Sequence, residues 1–267
     1  MPFIRNLASS GPSFHPRPPR SPSVALRNET SRLTDTHVTD RKLRTSSLES
    51  LRLFLSTRSS LTSPDALKLW KGLYYAHYMT DRPLPQQRLA SDLASLADVL
   101  PAGAARQCSP SVLATWFAAF WEVLGERWPH VDALRMDKFL LLVRRVFAAQ
   151  LRHAVRDGAV ADVLAEWPFE LEGDLRKVPL GLRLHALDMW IDELEREGLL
   201  GAEGEEEEDV EASALVRKVG DMVQALRYSP IKAVRERARE SDDDDRLPWV
   251  QKKEETKDDD EWGGFDD

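Results

Sequence analysis

The chain has 267 residues, 42% of them hydrophobic, enough to fill one substantial core or two small ones. A formal net charge of −8 with 31% charged residues argues against a simple cationic nucleic-acid binder. The charge is uneven: residues 201–267 hold 22 acidic and 11 basic side chains, a net of −11, which leaves +3 for the first 200.

In chain order, residues 1–10 form a short segment followed by the Pro/Ser/Arg/Thr-rich stretch Gly11–Thr39. That stretch has no sustained period and too little apolar surface to offset its ordering entropy, so disorder is expected over 11–39. From Ser46 the apolar residues recur at helical spacing. Leu48, Leu51 and Leu55 mark one helix, and Leu67, Trp70, Leu73 and Tyr74 mark a second behind the Ser63-Pro64-Asp65 start. A third stripe, Leu89, Leu93, Leu96 and Leu100, is entered by Pro83 and Pro85 and closed by Pro101 and Gly103. Leu113, Trp116, Phe117, Phe120, Trp121 and Leu124 give a helix with a broad aromatic face. Phe139, Leu142, Val143, Val146 and Phe147 define a long helix reaching about His153. Leu184, Leu187, Trp190, Ile191 and Leu194 form another after Pro179.

The acidic tail, 201–267, is expected to contain one amphipathic helix at about 211–227, carried by Leu215, Val219, Met222 and Leu226. Beyond Pro230 charge blocks such as Asp242–Asp245 suggest a mostly disordered ending. No segment alternates as a strand does. The expected fold class is all-α, an irregular helical bundle or a HEAT-like α-solenoid over 40–200.

The chemistry of an enzyme is hard to find. The sequence lacks a GxxxxGK[ST] phosphate loop, a dinucleotide GxGxxG, a GxSxG elbow and an HExxH metal helix. Its six histidines are scattered without ligand spacing. The single cysteine, Cys108, cannot form an internal disulfide and fits a reducing compartment. No apolar run approaches the roughly 20 residues that span a bilayer, and no secretory signal opens the chain. The expectation is a soluble protein with no catalytic, metal or cofactor site, no small-molecule substrate and no membrane partner.

Two features point instead to binding. At about 100° per residue, Lys138, Arg145, Arg152 and Arg156 lie within about 40° of one another on the long helix, off its apolar face. Such a row can track RNA phosphates; equally, it can be a solvated face paired with acids of a neighbouring helix. Trp249 and Trp262, in charged surroundings with nothing local to pack on, read as anchors for a partner.

Specific strings go further. LKLWKGLYYAHYMTDRPLPQQRLASDLASL, from Leu67 to Leu96, resembles the core motif of the ribosomal RNA-processing protein 1 family. FAAFWEVLGERWPHVDALRMDKFLLLVRRV, from Phe117 to Val146, and VPLGLRLHALDMWIDEL, from Val178 to Leu194, match further family blocks in the same order, with SPIKAVRERARE and RLPW near the tail. The resemblance implies a nucleolar, non-catalytic scaffold of pre-60S particles, with pre-60S assembly factors and precursor rRNA as partners. Compact length and an acidic ending are similar to short fungal members.

The N-terminus departs from the pattern. MPFIRNLASS and DRKLRTSSLESLRLFLS, contiguous in the family, are here separated by Gly11–Thr39. We hypothesise that this stretch is translated intron or another gene-model error, and transcript reads that always retained it would refute the idea.

Overall fold

The computed structural model describes residues 41–101, 111–201 and 206–250. Nine α-helices run in chain order among them: α1 Arg41–Ser56, α2 Ser63–Tyr78, α3 Pro83–Ala94, α4 Val112–Arg127, α5 Ala133–Ala154, α6 Gly158–Glu166, α7 Leu180–Arg196, α8 Glu207–Leu226 and α9 Lys232–Asp242. Short 3₁₀ turns at Ala97–Val99 and Trp128–His130 join two of the connections. The described residues contain no strand, so the all-α expectation holds.

Local sequence sets the starts. Thr62 accepts the Asp65 amide ahead of Pro64 in α2, Asp132 accepts the Arg135 amide at α5, and Asp157 accepts the Ala159 amide at α6. Each supplies an acceptor that the first turn of a helix otherwise lacks. Ser111, the cap of α4, also donates to the Asp157 carboxylate at 2.5 Å, tying the starts of α4 and α6 together.

Helices two apart in sequence pack side by side: α2 on α4, α4 on α6 and α6 on α8 in one row; α3 on α5, α5 on α7 and α7 on α9 in the other. This is the solenoid form of the expected fold. Each helix meets mainly sequence neighbours, and the apolar stripes turn inward between the rows. The core runs from Leu48 in α1 through Trp70, Trp116, Phe147 and Trp190 to Val223, Val234 and Leu247. Buried polar groups are matched across it. The Trp70 indole donates to the Trp116 carbonyl at 2.9 Å, the Trp121 indole to Gln150 at 2.8 Å, and the Gln150 amide to the Val160 carbonyl at 3.0 Å.

Three findings depart from the sequence reading. The helix α6 sits where periodicity marks no element, because nine residues carry only two turns of stripe. The third stripe breaks: α3 stops at Ala94, and Leu96 and Leu100 are buried from a 3₁₀ turn. The largest correction lies past Pro230, where a folded helix and strap stand in place of the expected disorder. Val234, Ala238 and Leu247 enter the core, while Arg237 pairs with Asp188 and Arg246 with Asp192 and Glu195 of α7. The body therefore continues through residue 250 rather than ending near 200.

Candidate interaction surface

The row of cations on α5 resolves into separate fates. Lys138 is only 5% exposed. Its ammonium donates to the carbonyls of Tyr78 at 2.7 Å and Thr80 at 2.8 Å, closing the C-terminal end of α2, and burial holds its pKa below the ordinary lysine range. It is a structural cap and no part of a phosphate-tracking row. Arg152 is exposed but pairs with Glu197 at 3.0 Å and Asp98 at 3.8 Å. Arg145 is half-buried, with its Nε shut from solvent and lacking an acceptor among the described residues. Arg156 lies on the surface just past the end of α5. Their neighbour Arg144, absent from the sequence-level row, bonds the carboxylates of Asp192, at 2.7 Å, and Glu193 on α7.

Trp249 is not a free anchor. Its ring presses against Gly220 of α8, where a Cβ would collide with it, and its indole donates to Asp242 at 3.1 Å. Asp242, nearly inaccessible, also accepts from Arg227 at 2.8 Å and Gln224 at 3.2 Å. A residue that local composition leaves unpartnered finds its partner in a helix folded alongside. Trp262 and Cys108 lie outside the described residues.

What the sequence reading misses is an edge. In a two-row stack the turns α2–α3, α4–α5, α6–α7 and α8–α9 fall on the same side, and contacts join them in order. Tyr78 meets Asp132, the Lys177 carbonyl crowds Gly125, and Pro230 packs on Gly173, whose φ of +76° only glycine adopts freely. Among the described residues, the large apolar side chains left exposed are concentrated here: Tyr75, Met79, Leu84, Leu134, Leu171, Leu175 and Tyr228, with Leu53 and Val210 lying elsewhere. Leu134 is 95% exposed and Tyr228 88%. Exposed apolar groups gathered along one edge make this the candidate interaction surface. Helical periodicity hides it, because each residue breaks its own stripe singly and only the stacking aligns them.

The α2–α3 and α4–α5 turns add cations to this edge. The Arg127 guanidinium lies 5.8 Å from the Tyr75 ring centre and Arg135 4.6 Å from that of Tyr78. Arg135 also bonds Asp132, whose carboxyl is held below its ordinary pKa by that hydrogen bond. Among the described residues no group of three or more His, Cys, Asp or Glu could hold a metal, and no helix is long and apolar enough to cross a membrane.

The described residues thus form an all-α protein of two stacked helix rows with exposed apolar side chains along one turn edge. The family model for nucleolar protein Nop52 matches residues 33–263, and the chain belongs to that family. It is 28% identical over 171 residues to the human Ribosomal RNA processing protein 1 homolog B, covering 60% of this chain and 21% of that protein. It is 32% identical over 151 residues to the Drosophila melanogaster Ribosomal RNA processing protein 1 homolog, covering 54% and 21%. With the Caenorhabditis elegans homolog it shares 29% over 147 residues, covering 54% and 35%. The matched stretch is thus a fifth to a third of each of these longer relatives.

Proposed function

We propose that the chain is a nucleolar assembly factor, a non-catalytic scaffold of pre-ribosomal particles required for processing precursor rRNA and building the large (60S) subunit. One observation carries the reading. The family match over 33–263 encloses the core, which runs from Leu48 to Leu247, and this overlap supports reading the helical stack as the family's unit. Relatives that match more than half of the chain are named for ribosomal RNA processing. A stack of this kind offers an extended surface on which several partners assemble.

A second reading, a protein-binding adaptor without direct RNA contact, is favoured by the α5 cations. Lys138 is buried, and Arg144 and Arg152 already face carboxylates. Substitution of the half-buried Arg145 and the exposed Arg156 tests the row against RNA.

Purification of the N-terminally tagged chain from gentle lysate, with and without nuclease, tests both. Early pre-60S factors together with large-subunit precursor rRNA are expected; recovery of neither would remove the ribosomal reading. If Arg145→Glu/Arg156→Glu lowers directly crosslinked rRNA while protein partners stay, the chain touches RNA. Unchanged crosslinking makes it an adaptor.

A further inference from the structure

We propose that the segment Asp258–Asp267 docks onto the turn edge of its own chain, at the patch formed by Tyr75, Met79, Leu84 and Leu134. The two surfaces match in chemistry. The segment reads DDDEWGGFDD: six carboxylates, no cation, and two aromatic rings, Trp262 and Phe265, separated by a glycine pair that lets the backbone turn both rings to one side. The patch offers exposed apolar groups from the ends of α2, α3 and α5, rimmed by Arg82, Arg88, Arg127 and Arg135.

The charge at the patch favours an anion. Arg127 already pairs with Glu126 and Arg135 with Asp132 and Asp81, so the cations open to the segment's carboxylates are the two arginines of the α2–α3 turn and α3. Arg82 and Arg88 are exposed and have no carboxylate partner among the described residues. Rings seated on an apolar floor with carboxylates over arginines is the usual arrangement for an acidic, aromatic linear segment.

The reach is sufficient. Trp249 fixes the chain against Gly220 of α8, and neighbouring helices of the row lie about 8–10 Å apart, so crossing α6 and α4 to α2 takes roughly 30 Å. Trp262 lies twelve positions after Val250, a span of up to about 40 Å when extended. A tether of this length holds the segment near its site at roughly millimolar effective concentration.

The test uses the full chain and a fluorescein-labelled peptide, Asp258–Asp267, followed by anisotropy. Three proteins are compared: the natural sequence, Trp262→Ala/Phe265→Ala, and that double variant with Leu134→Glu added. Leu134 is almost wholly exposed, so its replacement spares the core, and circular dichroism confirms the fold. The double variant, its patch vacated, is expected to bind the peptide at least tenfold more tightly than the natural chain, and Leu134→Glu to abolish that binding. Equal binding to all three proteins would overturn the proposal, as would binding indifferent to Leu134→Glu. A natural chain that sediments as a dimer, and as a monomer once Trp262 and Phe265 are removed, would place the segment on a second copy and overturn docking within one chain.

Discussion

The ammonium of Lys138, one turn into α5, lies 2.7 Å from the carbonyl oxygen of Tyr78 at the end of α2. A side chain that looks like part of an RNA-facing row is a cap for another helix. Replacing it with methionine keeps most of the stem's packing, removes the ammonium from the Tyr78 carbonyl and leaves the Thr80 carbonyl to the Gln86 amide alone. The expected loss is about 1–3 kcal/mol, read as a lower urea midpoint with unchanged m-value. An unchanged midpoint would mean the carbonyls are served from elsewhere.

Protonation of His77 should destabilise the fold. Its Nε2 faces the Lys138 carbonyl at 3.0 Å, so Nε2 carries the proton and donates, while Nδ1 is buried with no partner among the described residues. Burial pulls the pKa from 6.5 down to about 4, against the opposing effect of that hydrogen bond. Because the unfolded chain takes up the proton first, stability is full above about pH 6.5 and falls as pH drops toward 4. The depressed pKa of His185, on the Leu140 carbonyl, acts in the same direction. The His77 share is on the order of 3 kcal/mol. Chemical denaturation at half-unit pH steps reads it, and His77→Gln, which can still donate to the carbonyl, should flatten most of the slope. A slope that survives this change would place its origin elsewhere.

Arg183 organises the α6–α7 connection. Almost fully buried, it donates to the carbonyls of Val178 at 3.0 Å and Glu170 at 2.5 Å and pairs with the Glu170 carboxylate. Arg183→Met leaves that carboxylate buried without its cation, with the Glu172 amide still donating to it, a loss of about 3–5 kcal/mol. Adding Glu170→Met should recover much of it. A double variant no more stable than the single would show that the carbonyl bonds, not the ion pair, dominate.

Gly220 exists to admit Trp249. Gly220→Ala would force the ring off α8 and loosen the strap that carries Leu247 into the core, at about 1–3 kcal/mol. In a Trp249→Ala background the same change should be nearly neutral. Thermal unfolding of the four proteins forms the cycle, and additive losses would deny the contact.

The row α2, α4, α6 and α8 and its partner row arise from features visible one helix at a time. Leu67, Trp70, Leu73 and Tyr74 announce α2 by spacing alone, Thr62 and Asp132 announce helix starts, and the strings around Trp70, Asp137 and Trp190 announce the family. Each depends on the chain within a few turns, so sequence by itself determined them. The fates of Lys138, Trp249 and Leu134 belong to the tertiary structure. A helical wheel gives the direction in which Lys138 leaves its own axis, but the carbonyls that meet it belong to a turn some sixty residues earlier. The stretch 232–250 has too few apolar residues to fold alone, and stands because α7 presents Asp188, Asp192 and Glu195 to its arginines and α8 presents a bare backbone to Trp249. Exposure along the turn edge is likewise a property of stacking: burial is decided by what the neighbouring layer covers, and periodicity within one helix carries no record of that layer.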